Sequence, residues 1–326
     1  MFSSVLSLKP DKKIVFFAKL IVLGGLVAYI GYVLRQQPFD WRTVQTQFKT
    51  VRHPAWWLAG LVLLMPVNWG LEALKWYILL QRVERASYWA AFQGVLAGVA
   101  LSFALPAQLG DTAGRVLSLR SGGRGAAIGA SLVSGGMQFY VALVAGAIAW
   151  AYHLNVVVDR NTTAARWLLL LLLSLTVGGV FLGLVRQRLV RWLSSRQGID
   201  RWASYWNVAG FYSDREISWA LTAAALRYCL FSVQFYLAME AVGIQLPFAV
   251  SASGIGLVFL VKTLTPAFNL LSDLGVREAA SLWVFAPFRL PAAVLLTATL
   301  LLWLSNILIP VLVGLIWVWK LRIRRP

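Results

Sequence analysis

The chain has 326 residues, 60% of them hydrophobic and only 13% charged, with a mean hydropathy of +0.72. Soluble domains run about 45–50% apolar and ~25% charged, so too few polar residues are present to coat a core of this size, and lipid must do the covering. Thirty Lys and Arg against twelve Asp and Glu give a net charge of +18, and the basic residues are spread over short loops, which argues for anionic headgroups as partners and against nucleic acid.

Lys9, Lys12 and Lys13 precede an apolar run at 14–34. No small-residue cleavage site follows it, and it is long enough to span, so it reads as an uncleaved first helix. Further runs of spanning length fall at 55–80, 125–150, 165–185, 216–242 and 291–319. Two other apolar stretches, 88–120 and 249–288, are each broken centrally by a Pro and a Gly-bearing polar turn. Trp56, Trp57, Trp89, Trp150, Trp167, Trp219, Trp317 and Trp319 sit at run ends, where indoles prefer the headgroup level. His53 and His153 fall in expected loops, and Cys229 stands alone in an apolar run. The expectation is therefore no metal, no disulfide and no cofactor.

The segment 186–215 carries Arg186, Arg188, Arg191, Arg196, Arg201 and Arg215 among Leu189, Trp192, Leu193, Trp202, Trp206 and Phe211. Its pattern is that of a basic helix lying in the interface; a charged connecting loop is the alternative.

Charge tests the topology. If every apolar run crossed fully from an inside N-terminus, the six arginines of 186–215 would lie outside, against the positive-inside rule. If 88–120 and 249–288 instead enter and leave on one side, eighteen of the thirty basic residues fall inside and seven outside. Five then lie near the membrane interior: Lys19, Lys75, Arg227, Lys262 and Arg277. The expected fold class is all-α, a polytopic integral membrane protein with about six transmembrane helices and two re-entrant helical hairpins. Both termini are expected to be cytoplasmic, and the whole chain, 1–326, to be one membrane domain.

The two broken stretches resemble each other. The first reads Leu101-Ser-Phe-Ala-Leu-Pro106-Ala-Gln-Leu-Gly110-Asp111-Thr-Ala-Gly114-Arg115. The second runs from Lys262 through Pro266 and Asp273 to Gly275-Val-Arg277-Glu278. Each follows a helix bearing charges, Glu72 and Lys75 before the first and Arg227 and Glu240 before the second. With hairpins opening to opposite sides, the halves about 55–152 and 216–319 form an inverted repeat, an arrangement that places binding sites near the midplane at broken helices. Chance similarity of two Pro-Gly turns is the competing account.

An arginine or acid at membrane depth costs about 2.5–3.5 kcal/mol on insertion scales, so each needs a partner or a wet cavity. Glu72 and Lys75 are three apart on one helix face; Asp111 and Arg115 are four apart, as are Asp273 and Arg277, with Glu278 next. Two readings stand. The pairs satisfy one another and pin the hairpins, or Glu72, Lys75, Asp111, Arg115, Arg227, Lys262, Asp273, Arg277 and Glu278 line a site for an anionic headgroup. In the second reading, helix N-termini after Gly110 and Gly275 add donors for a phosphate. No nucleophile elbow, P-loop, Cys-His pairing or Asp-x-Asp cluster is present in the sequence.

Glu72-Lys75-Trp76, Pro106 with Gly110-Asp111 and Gly114-Arg115, and Pro266 with Leu274-Gly275-Val276-Arg277-Glu278 together resemble the flippase-like transmembrane region of lysylphosphatidylglycerol synthases. The resemblance covers roughly residues 10–320. Where the family pattern commonly has Gly-Glu with an Arg three residues on, this chain has Asp111 and Arg115. The resemblance implies translocation of a phospholipid, often aminoacylated, between leaflets; the cytosolic acyltransferase domain is not in this sequence. The expectation is thus a lipid transporter of a bacterial inner membrane, not an enzyme. A membrane enzyme on a lipid-linked substrate, or an accessory protein, is the alternative, and oligomeric state is left unassigned.

Overall fold

The helices follow from the apolar runs, because a chain in hydrocarbon must satisfy every backbone group within itself. The computed structural model describes residues 40–103, 109–119, 122–156, 162–195, 203–264 and 276–320. The run at 14–34, both hairpin prolines Pro106 and Pro266, and Asp273 lie outside the described residues.

A short amphipathic helix, α1 (Trp41–Thr50), is capped by Asp40, which accepts from the Arg42 N–H and the Thr43 hydroxyl. The Thr43 hydrogen bond, followed by that from Arg42, holds the Asp40 carboxyl below its ordinary pKa. Next come α2 (Pro54–Leu80), the pair α3 (Tyr88–Ser102) and α4 (Leu109–Leu117), and the long α5 (Arg124–Val156). Then α6 (Thr163–Ser194) and α7 (Ala203–Phe211) lead into the second half. That half holds α8 (Asp214–Ala241), the pair α9 (Phe248–Leu264) and α10 (Val276–Val284), α11 (Ala292–Trp303), a π-helical segment Leu304–Leu308, and α12 (Ile309–Lys320).

Among the described residues five helices are long and apolar enough to cross a membrane: α2, α5, α6, α8, and α11 to α12 taken together. The protein is a multi-pass helical membrane protein. The 15 residues of α3 rise only about 22 Å, short of the ~30 Å of hydrocarbon. The α3–α4 pair is an antiparallel hairpin built on glycines. A Cβ on Gly114 would meet Gly98 Cα at 2.3 Å, and one on Gly110 would meet Ser102 N at 2.2 Å. Only Cβ-less residues allow this near backbone-to-backbone approach.

The two halves meet along α2 and α8, which run antiparallel. Gly60 lies against Leu237, the Gln234 amide donates to Leu61 O, and Arg82 forks onto Glu216 at the far end. A capping box of Ser213 and Glu216 starts α8, and Gly243 at φ +85° ends it, with the Ile244 N–H closing on Met239 O. Two other contacts between the halves mirror each other. α5 packs on α9 through Gly146 against Leu260, and α12 packs on α3 through Gly314 against Leu96 O.

Two expectations need correction. His153 is in the last turn of α5, buried, with its ring 6.2 Å from that of Trp150, and not in a loop. The helix runs six residues past the apolar stretch because nothing there breaks it. Nor is 186–215 one interfacial helix. Residues 186–194 finish α6, no Gly or Pro interrupting it there, while apolar α7 packs against α5, with Gly129 beneath Tyr205 O. Most of α6 faces outward; only Ala165 and Leu172 are buried along it.

Candidate functional site

A polar stripe on α2 creates the site. Asn68, Trp69, Glu72, Lys75, Trp76 and Leu79 recur at helical spacing and are all buried. Glu72 is 5% exposed and Lys75 1%. As their three-residue spacing predicts, they pair, with Lys75 Nζ 2.8 Å from Glu72 Oε2.

The α4 leg supplies a second pair at the expected four-residue spacing. Arg115 Nε donates to Asp111 Oδ1 at 3.0 Å. The rest of the fork leaves the hairpin: Nη2 donates to Glu72 Oε1 at 2.7 Å and Nη1 to Ser134 Oγ at 3.4 Å. The guanidinium sits 5.1 Å from the Trp76 ring centroid. From α8, Arg227 Nε lies 3.3 Å from Glu72 Oε2, and Nη1 donates to Gln138 Oε1 at 3.2 Å. Its guanidinium lies 5.3 Å from the centroid of Trp69. One carboxylate thus draws together three cations from three helices.

These groups face a cavity of about 360 Å³, within the roughly 300–1,000 Å³ typical of ligand sites. Glu72, Lys75, Asp111, Arg115, Arg227 and Lys262 all line it. Lys262 Nζ, on α9, lies 5.8 Å from the Phe231 ring centroid. Among the described lining residues four cations thus face two carboxylates. Asp111, 31% exposed at its side chain, and Arg227, 20% exposed, are the more accessible members of the cluster. Val99, Phe139, Tyr228 and Phe259 give the same cavity an apolar wall. The arrangement can hold an anionic group beside an apolar tail. Among the described residues no group of three His, Cys, Asp or Glu could hold a metal.

The structure brings together six of the nine residues expected from the sequence. Arg277 and Glu278 do not line this cavity. They open α10, where Arg277, fully buried, places Nη2 2.9 Å from Glu278 Oε1. Asp273 lies outside the described residues.

Sequence reasoning missed a second polar cluster beside the first. Asn68 Nδ2 donates to Asn306 Oδ1 at 2.7 Å and more weakly to Gln234 Oε1 at 3.4 Å. Trp69 Nε1 donates to Asn306 O at 3.1 Å. All four side chains are buried. The available signal was three lone amides inside apolar runs, each of which needs a partner at that depth.

Comparison with known proteins identifies the family. The family model described as the lysylphosphatidylglycerol synthase TM region matches residues 16–314. No curated protein and no solved structure matches the chain. A match over nearly its whole length, on a helical membrane fold with charged groups buried around a cavity, shows that this chain belongs to the lysylphosphatidylglycerol synthase transmembrane-region family.

Proposed function

We propose that the protein moves a phospholipid, or another anionic or aminoacylated lipid, between bilayer leaflets as a transporter and not as an enzyme. The observation that carries this reading is the cavity of about 360 Å³ with four cations and two carboxylates among its lining residues, set within apolar helices. A headgroup phosphate exchanges for Glu72 or Asp111 as the partner of Arg115 and Arg227, so no cation is left bare at depth. The apolar wall and outward-facing helices leave the acyl chains in lipid. Without such a route, an unpaired charge would have to enter hydrocarbon, at a far larger cost.

The inverted repeat belongs to this proposal. It is supported by the antiparallel α2–α8 pair and by the exchange of contacts, α5 on α9 and α12 on α3, that a two-fold axis in the membrane plane would produce. The hairpins are then re-entrant from opposite sides, both termini lie in the cytoplasm, and access to the site alternates. The membrane is the bacterial cytoplasmic one.

The test is transfer of a fluorescent phosphatidylglycerol analogue in reconstituted vesicles, with outer-leaflet fluorescence quenched chemically. Arg115→Ala is expected to lose most of the transfer while eluting as folded protein. Transfer by Arg115→Ala at the native rate would show the Glu72–Arg115 pair to be a structural pin.

A further inference from the structure

The π-helical segment between α11 and α12 has a local cause and a distant effect. In an α-helix the partner of Asn306 O is the N–H four residues on. That residue is Pro310, which has no N–H and whose ring crowds the carbonyl at that position. The helix widens just ahead of it, over Leu304–Leu308, with the Ile309 N–H closing on Leu304 O. Asn306 O then accepts the indole N–H of Trp69 at 3.1 Å, across from the π-helical segment to α2. The Asn306 side chain fastens the same junction by accepting from Asn68 at 2.7 Å. Trp69 is only 8% exposed, and its ring lies under the Arg227 guanidinium at 5.3 Å.

We propose that Trp69 is a positioning residue for the lipid headgroup: the carbonyl that Pro310 leaves without its helical donor fixes the indole, and the indole face seats Arg227 in the cavity. The inference rests on the lipid-transfer reading for what Arg227 binds, but not for how Arg227 is held. Arg115 needs no such help, since Glu72, Asp111 and Ser134 engage its whole fork. Among the described residues Arg227 has one direct hydrogen bond, to Gln138, and a longer 3.3 Å approach to Glu72, so the ring beneath it completes its seat. A cation held over an indole face is oriented without losing its charge or all of its donors, which leaves the guanidinium able to meet an anion. π-Helical turns occur often at functional sites, and here the turn reaches the cavity through one indole.

The test uses the full chain in nanodiscs, with arginine and tryptophan side chains labelled with nitrogen-15. The Arg227 Nε–H signal is assigned by its loss in Arg227→Lys, and the Trp69 indole signal by its loss in Trp69→Phe. Pro310→Ala restores a donor to Asn306 O and makes the helix more regular, so it is not expected to unfold the protein. It is expected to shift the Trp69 indole signal, and Trp69→Leu to remove the ring-current shift of Arg227. Both variants are expected to weaken binding of short-chain phosphatidylglycerol several-fold, with maximal transfer rate changing less than apparent affinity. Unmoved Trp69 and Arg227 signals in these variants would overturn the positioning role, as would unaltered lipid affinity. Moved signals in a wild-type protein that binds no phosphatidylglycerol would uphold the seating of Arg227 and overturn the lipid-transfer reading instead.

Discussion

Removing the charge of Glu72 is the perturbation whose size the structure sets most directly. Glu72 is 5% exposed, with Lys75 Nζ at 2.8 Å, Arg115 Nη2 at 2.7 Å and Arg227 Nε at 3.3 Å. Glu72→Gln keeps the shape and deletes the one charge that all three cations share. Breaking a buried ion pair by removing one partner costs about 3–5 kcal/mol, because the other charge stays desolvated. Lys75, 1% exposed, cannot turn to water. At about 2.1 cal/mol/K of unfolding entropy per residue, 326 residues give roughly 1.5 °C per kcal/mol, so a fall of about 4–7 °C is expected. The assay is thermal unfolding of the detergent-solubilised protein, followed by the amount that remains monodisperse on size exclusion. Glu72→Gln/Lys75→Met separates charge from shape: neutralising the most buried cation as well should recover at least ~1 kcal/mol of the loss, within the usual range for contacting residues. Stability of Glu72→Gln within ~1 kcal/mol of the native protein would refute the reasoning and show that cavity water, not the carboxylate, holds these cations.

The hairpin predicts a sharper steric effect. Gly114→Ala places a methyl 2.3 Å from Gly98 Cα and is expected to cost about 1–3 kcal/mol in the same unfolding assay. Gly178→Ala on α6, with nothing within 4 Å, is expected to be neutral or slightly stabilising; equal effects at both sites would mean that α3 and α4 are not in backbone contact. Topology is checked in intact cells: a cysteine at Asp200 is expected to resist an impermeant maleimide, and efficient labelling would place the 186–215 segment outside.

What was legible in the sequence depended on distance along the chain. The spans could be read because ~20 apolar residues suffice to mark one, and the first hairpin because Pro106, Gly110 and Gly114 interrupt an apolar run. Glu72 with Lys75 and Asp111 with Arg115 could be read because helical spacing puts them side by side. The cross-links between those pairs could not. Arg115 reaches Glu72 across 43 residues of sequence, and Asn68 reaches Asn306 across 238. Nothing local encodes such partners; only the packing of α2, α4, α5, α8 and the π-helical segment makes them neighbours. The π-helical turn had a local signal in Pro310, but that signal shows a lost donor and not where the freed carbonyl goes.

The two hairpins look alike in sequence, yet their arginines stand differently in this arrangement. Arg115 lines the cavity with its fork shared among Asp111, Glu72 and Ser134. Arg277 stands apart from it, fully buried, paired with its chain neighbour Glu278, and among the described residues its Nε and Nη1 have no hydrogen-bond partner. A desolvated guanidinium with idle donors is costly, whereas one whose donors are all used is not. In the proposed cycle this asymmetry has a direction. Arg115 has partners for Nε, Nη1 and Nη2, and Arg277 has fewer among the described residues, so the second-half arginine gains most from a conformational exchange that brings an anion to it. Under the proposed inverted repeat, such an exchange would relieve the second-half arginine as it opens the first-half site.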